Sequence, residues 1–479
     1  MDNKERLQSY VRRQIELCDE ILGAKIKVGG KVLKTRNIYI KICEYIKNFK
    51  SGKSDRRWVI IPGLRGTGKT TVLAQSYFFI KDFYPNANVI YFSIDDAMVN
   101  GFSLIEVIDT YMEEIGQKPE TAKDVFIMLD EVQNNYDWAK ILKTYHDKSP
   151  GVFLLFRGSS AVNLQSNADV AGRRAEIECL YPMSFCEYEV IEHDVYPIKG
   201  LKSKLDDALY ASKDARECYA KLKACEPEIV EYCKNVKPSH WAKYIKTGSL
   251  PFTLPTSDEG GVYKQVLQTV EKIVYKDLPQ IDSIDAKSIP VAMSLLQLLS
   301  EADSISVSKV ANLLGVSPVT LTSILDSLCR AELLIKVKPY GSNFSAARKN
   351  SKYLFASSTI RAALYYRNGS PASEDVRDGR ILEDVAGLHF YRRNNINHAG
   401  DLFYDSAQGG ADFIIRTGDT AVVFETGRGK KDSTQVESTL DRIGERGRYG
   451  VTVCDTAEIA LSNSEKNVSI PWRVFALAG

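Results

Sequence analysis

Trp58-Val-Ile-Ile61-Pro62-Gly63-Leu64-Arg65-Gly66-Thr67-Gly68-Lys69-Thr70-Thr71 decides how this chain is read. An apolar strand runs straight into a loop with glycines at 63, 66 and 68, and a helical stretch over about 70–83 follows. The glycines let the backbone fold into a nest of N–H donors around phosphates. Lys69 brings a point charge toward the β- and γ-phosphates, Thr70 a hydroxyl for Mg²⁺, and the helix N-terminus a favourable dipole. This is the complete P-loop pattern, and it predicts that residues Gly63 to Thr71 bind ATP with Mg.

A second apolar strand, Val125 to Leu129, ends in Asp130-Glu131. Asp130 is placed to hold Mg²⁺ through water, and Glu131 to orient and polarise the attacking water. A third strand, Val152 to Phe156, ends in Arg157-Gly158-Ser159-Ser160, where a polar residue can sense the γ-phosphate; Ser159 is the first choice and Ser160 the second. Ala171-Gly172-Arg173-Arg174 precedes a further strand. Arg173, from this or a neighbouring subunit, is a candidate for stabilising transition-state charge, with a plain salt-bridge role as the alternative. These strands and Asn88 to Ile94 alternate with helical stretches at about 101–116 and 135–147. That alternation means a parallel α/β sheet covered on both faces.

Outward from this core, residues 37–49 have helical spacing. Residues 1–57 carry fifteen Lys and Arg against seven Asp and Glu. They read as a basic arm able to touch phosphate backbones, or as a solvated helical face. Over all 479 residues the balance is 63 to 61, so net charge announces no nucleic-acid partner. A hydrophobic share of 44% excludes a wholly disordered chain. Nine cysteines form no C-x-x-C pair and cannot all pair with one another, which points to reduced thiols and a cytoplasmic protein. The first residues lack an apolar signal region and the apolar runs are too short to span a bilayer, so no membrane is expected. Five histidines show no H-x-x-x-H or E-x-x-H spacing, so no zinc site is expected.

Residues 183–290 read as helical and charged. A helix over Pro290–Ser300, two short helices broken at Gly315-Val-Ser317, and strands at Leu334–Lys338 and Lys352–Ala356 form a winged-helix pattern. Ser317 caps the second helix, with Pro318 at its first position. Thr320, Thr322, Ser323 and Arg330 lie on that helix, and Lys336, Lys338, Arg348, Lys349 and Lys352 on the expected wing. The wing suits phosphate contact, but the helix lacks the Arg, Asn and Gln that usually read bases.

The segments GLRGTGKTT, MLDEVQNNYDWAKILKTYHD, FRGSS and AGRRAEIECLYPMSFCEY, in this order, resemble a family of prokaryotic AAA-type ATPases. Trp138 and Pro182-Met-Ser184-Phe185-Cys-Glu187-Tyr188 carry the resemblance, and Trp241 to Phe252 extends it more loosely. It implies a P-loop AAA-type sheet with a helical lid, then a winged helix and a small α/β nuclease-like domain of the PD-(D/E)xK kind. The expected boundaries are a basic helical arm over 1–36, the ATPase core over 37–185, the lid over 186–289, the winged helix over 290–367, and the nuclease-like domain over 368–479.

The same resemblance implies a carboxylate trio of Glu383, Asp412 and Glu425. Period two puts residues 425 and 427 on one strand face, but 427 is glycine where the pattern has lysine. Lys430 or Lys431 is the candidate replacement, yet a flexible replacement loses fixed geometry. The expectation is therefore an Mg-dependent ATPase whose C-terminal domains bind DNA or protein without cutting, with homo-oligomers as a further expectation. The alternatives are a nucleotide-gated binding module with negligible turnover, and an ATP-coupled nuclease.

Overall fold

In the computed structural model the described residues are 2–135, 137–158, 175–281, 288–302, 304–341, 349–397 and 400–479. They divide into two compact units, residues 1–181 and 182–479.

The first unit runs α1 (Asn3–Lys25), a short hairpin β1 (Lys27–Val28) and β2 (Lys31–Val32), α2 (Asn37–Lys50), β3 (Trp58–Ile61), α3 (Lys69–Phe83), β4 (Asn88–Ser93), α4 (Ile94–Val99), α5 (Leu104–Glu114), β5 (Val125–Asp130), α6 (Trp138–Lys148), β6 (Val152–Arg157) and β7 (Ala175–Ile177). Its five-stranded sheet has the order β4-β5-β6-β3-β7, every pair parallel. All residues of β3 and β5 are buried, as a parallel sheet covered on both faces requires. The strand order reverses beside β3, because β6 separates it from β5. In such sheets ligands bind outside the carboxyl ends of the strands at that reversal, which is where the P-loop lies.

The basic arm expected over residues 1–36 is instead built into this unit. Leu7, Val11, Cys18 and Leu22 form a buried stripe on α1 and join the core of the sheet. Tyr77 donates to Asp19, Tyr10 to Asp96 Oδ2 at 3.0 Å, and Arg12 Nε to Glu114 at 2.8 Å. Further basic residues of the segment pair with carboxylates of the same unit, Lys41 with Glu178 and Arg56 with Glu176. The local charge surplus is thus partly met by acids elsewhere in the unit.

The second unit contains an eight-stranded mixed sheet. Its strands are β8 (Leu334–Pro339), β9 (Lys352–Phe355), β10 (Asp401–Tyr404), β11 (Phe413–Thr417), β12 (Thr420–Thr426), β13 (Gly447–Cys454), β14 (Ala460–Leu461) and β15 (Asn467–Pro471), in the order β14-β15-β13-β12-β11-β10-β8-β9. Three helices at Ile289–Glu301, Val307–Leu314 and Pro318–Arg330 precede β8, and Ser317 Oγ accepts from the Thr320 amide at 3.0 Å. The hairpin expected as a free wing is a continuous part of the sheet, since β8 pairs in parallel with β10. The boundary expected at 367/368 therefore passes through one sheet. Arg361, fully buried, fastens the same region: it donates to Asp384 through Nε at 2.6 Å and Nη2 at 2.9 Å, and to the Ser300 carbonyl at 3.0 Å. Residues 182–289, expected as a lid boundary at 186, group with this unit from residue 182 onward.

Candidate active site

The loop between β3 and α3 has the backbone its glycines permit. Gly68 caps α3 at φ 94°, a left-handed conformation that side chains disfavour. A Cβ on Gly63 would stand 2.4 Å from the Leu180 carbonyl oxygen, so only glycine fits there. Thr67 Oγ1 closes the turn onto the Leu64 carbonyl at 2.9 Å. Lys69 is buried and folded back, its Nζ donating to the Gly63 carbonyl at 2.6 Å and the Leu64 carbonyl at 2.9 Å. Thr70 and Thr71 follow on the first turn of α3.

Arg36 supports this loop from behind. It is buried and donates through Nη1 to the Thr67 carbonyl and through Nη2 to the Tyr181 carbonyl, both at 2.8 Å. Sequence reasoning missed it, because residues 31 and 145 positions away give no local signal.

Asp130 ends β5, buried, with Tyr91 donating to its Oδ2 at 2.9 Å. Glu131 follows at φ 54°, an uncommon conformation for a non-glycine residue. Register places Arg157 of β6 beside Asp130, and its guanidinium bridges both acids: Nε meets Asp130 Oδ1, and Nη1 meets Glu131 Oε1 at 2.6 Å. Gln133 donates to the other oxygen of Glu131. Burial pushes the Asp130 carboxyl upward, with Arg157 opposing and the Glu131 charge adding to the rise. For Glu131 burial also pushes up, but Arg157, Gln133, Lys69 and Arg65 together outweigh it and hold the pKa at about 2. The loop after β3 and the acid pair ending β5 stand at the same carboxyl edge of the parallel sheet, with β6 between the two strands.

The structure thus gathers Lys69, Asp130 and Glu131. The polar residue that the described structure sets against the acids is Arg157, at the end of β6. Ser159, Ser160 and Arg173 lie outside the described residues. A signal for Arg157 existed in a basic residue ending the strand after the acidic one, but its use requires knowing that β5 and β6 are neighbours. The Asp130 carboxylate already faces a positive group, and with the Thr70 hydroxyl it supplies the hard oxygen donors that Mg²⁺ prefers.

A second cluster lies within residues 182–479. Glu383 and Asp412 border a cavity of about 570 Å³ with Gly427, Arg428 and Lys431, and the buried Glu425 lies beside Asp412. Asp412 Oδ2 accepts from the Thr426 amide at 3.0 Å and its hydroxyl at 2.9 Å, while the Asp412 amide donates to Glu425 at 3.2 Å. Lys352, expected on an exposed wing, is buried and paired with Glu383 and, at 3.4 Å, Asp412. Lys431 pairs with Glu425. A Cβ on Gly427 would lie 2.2 Å from Lys431 Cε, so the glycine's empty side-chain volume is filled by this lysine. Burial, then Asp412, raises the Glu425 carboxyl to about 7.

Residues 55–189 match the family model for an AAA domain, and residues 238–371 match that for a domain of unknown function. The uncharacterized protein MJ1637 of Methanocaldococcus jannaschii is 33% identical over 445 residues, covering 91% of this chain and 87% of that one. The chain belongs to the MJ1637 family. In this family member the first unit is an α/β P-loop domain of the AAA type. The Walker-type ATPase PABY2304 of Pyrococcus abyssi aligns at 12% identity and TM-score 0.41, over 70% of this chain and 96% of that one. The RuvB Holliday junction branch migration motor of Thermotoga maritima aligns at 14% identity and TM-score 0.27, over 64% and 90%. Among the described residues no single helix is long and apolar enough to cross a membrane.

Proposed function

We propose that this chain is an Mg-dependent AAA-type ATPase of the cytoplasm that couples its nucleotide state to binding of DNA or protein by its C-terminal unit. One observation carries the reading: the glycine-built phosphate loop with the buried Lys69 follows β3, and the buried Asp130 with Glu131 ends β5, at the same carboxyl edge of one parallel sheet. The backbone amides after Gly63 cradle the phosphates, and Lys69 leaves the Gly63 and Leu64 carbonyls to meet them. Thr70 and Asp130 hold Mg²⁺, which supplies charge neutralisation on the phosphates. Glu131 orients the attacking water. Held at about 2 by its surroundings it is a weak proton acceptor, so turnover requires Arg157 to loosen its grip. Ser159 near the γ-phosphate and Arg173, in cis or across a subunit interface, complete the proposed site.

The test is steady-state ATP hydrolysis with and without single- and double-stranded DNA. Lys69→Ala should abolish nucleotide binding, whereas Glu131→Gln should keep binding and lose turnover. Wild-type turnover by Glu131→Gln would overturn the assignment. The hold of Arg157 on Glu131 favours a second reading, a nucleotide-gated module with negligible turnover, which absent hydrolysis with intact ATP binding would support.

For the C-terminal unit we propose a winged-helix-like segment mounted on a degenerate PD-(D/E)xK-like domain that grips phosphates or a protein partner. The exposed Lys336, Lys338 and Lys349 support the first target. The seating of Lys431 in the space left by Gly427 favours an alternative, phosphodiester cleavage, because it returns an ammonium group to the carboxylate trio. DNA left intact with Mg²⁺ or Mn²⁺ supports the non-cutting reading; cleavage lost in Asp412→Ala supports the other.

A further inference from the structure

Residue 189 begins a five-residue π-helical turn, Glu189–His193, that continues the helix Phe185–Tyr188. Such turns recur at functional sites. Here the turn presents Glu189 and His193 toward a second helix, Pro238–Lys243, which contributes His240. The side chain of Glu189 is 0% exposed. A buried carboxylate is costly unless a cation or several hydrogen bonds compensate it. Among the described residues no lysine or arginine pairs with it, and its side-chain partner is His240 Nδ1, at 3.0 and 3.1 Å from the two oxygens. Lys243, on the same helix as His240, pairs instead with Glu192 at 2.9 Å.

The two imidazoles lie face to face, 3.5 Å between centroids and 7° apart, an arrangement that two imidazolium cations would resist. Tyr188 lies 3.3 Å from His193 Nε2 and orients that ring. One donor atom from each of Glu189, His193 and His240 lies within 4.8 Å of the others.

We propose that Glu189, His193 and His240 form a binding site for one zinc-class divalent ion, with two imidazole nitrogens, one carboxylate oxygen and water as ligands. Imidazole donors select zinc and its transition-metal neighbours over Mg²⁺ and Ca²⁺, so this site is chemically distinct from the one at the P-loop. Zinc bonds of about 2.0–2.1 Å need the three donors to draw together and the stacked rings to rotate apart. The ion compensates the buried carboxylate and ties the segment at 185–193 to the helix at 238–243. Histidine spacing does not reveal it, because Glu189 and His193 are an E-x-x-x-H pair and His240 lies 47 positions further on.

The test uses the full chain without a histidine tag, stripped with chelator and titrated separately with zinc and cobalt(II). Wild type should hold one equivalent at this site, with a cobalt spectrum free of sulfur-to-metal charge transfer. His193→Ala and His240→Ala should each weaken binding at least tenfold, with far-UV circular dichroism confirming the fold; should His240→Ala unfold, the partly exposed His193 carries the test alone. His193→Cys should restore binding and add the sulfur-to-metal band, which places residue 193 on the ion. Absence of zinc binding by wild type, equal binding by His193→Ala, or a sulfur band in the wild-type spectrum would overturn the proposal, the last because the nine cysteines would then be the ligands.

Discussion

Arg157 reaches from the end of β6 to Glu131 on the neighbouring strand end, Nη1 to Oε1 at 2.6 Å, while the same guanidinium touches Asp130. One cation therefore holds both acids of the candidate site. That relationship makes Arg157 a structural element of the acid pair and an obstacle to its use.

Replacing Arg157 by methionine leaves the buried Asp130 and the partly buried Glu131 without their cation. Breaking such a pair typically costs about 3–5 kcal/mol, so a large fall in melting temperature is expected. The acid limb of the ATPase pH profile should also move upward, because Glu131 loses the largest influence holding it at about 2. Calorimetry and a pH–rate profile check this. An unchanged melting temperature would show that the ion pair carries no stability.

Arg36 supports the phosphate loop without touching the place where a nucleotide would lie. Arg36→Ala leaves the Thr67 and Tyr181 carbonyls without their buried donor. Lost buried hydrogen bonds to a charged donor are each worth about 1.5–3 kcal/mol. Isothermal titration should show ATP affinity weakened by tenfold or more, with Arg36→Lys recovering only part of it because a lysine cannot fork between two carbonyls.

Glu425 has a sign opposite to the usual carboxylate. Its folded pKa of about 7 lies above the ordinary 4.5, so folding favours the protonated form. The penalty is absent below about pH 4.5, grows as pH rises to about 7 and is constant above that. Glu425→Gln should be stabilising by up to about 3 kcal/mol at pH 8 in chelator, and nearly neutral at pH 4. Denaturant titrations at the two pH values measure it.

Lys349 is exposed and Lys352 is buried against Glu383. Lys349→Ala should leave stability within about 0.5 kcal/mol and weaken any salt-sensitive DNA binding. Lys352→Ala should cost about 3–5 kcal/mol by stranding Glu383, with no separate electrostatic effect on DNA. Thermal melts and binding isotherms at two salt concentrations separate the two.

The P-loop and the acid-bearing strand were legible because each is a local pattern: an apolar run, then residues with one chemical use. The strands at 58–61, 125–130 and 152–157 followed from the same runs. What stayed hidden depends on which strands become neighbours. Arg157 gains its meaning only from the parallel register of β5 and β6, which pairs it with Asp130. Lys352 read as a wing lysine because lysines are usually exposed; the pairing of β8 with β10 draws the hairpin into the sheet and lets that ammonium meet Glu383. Lys431 reaches Glu425 by a route that opens only because residue 427 has no side chain.

The eight-stranded sheet also decides where the chain can be cut. A fragment ending at residue 367 would keep β8 and β9 but discard β10, stripping the partners from Lys338 and Pro339. A fragment beginning at 368 would expose the other side of the same seam along β10. Unpaired strand edges recruit further chains. Both halves are therefore expected to precipitate or associate when made alone, while a fragment spanning 182–479 retains every rung of the ladder.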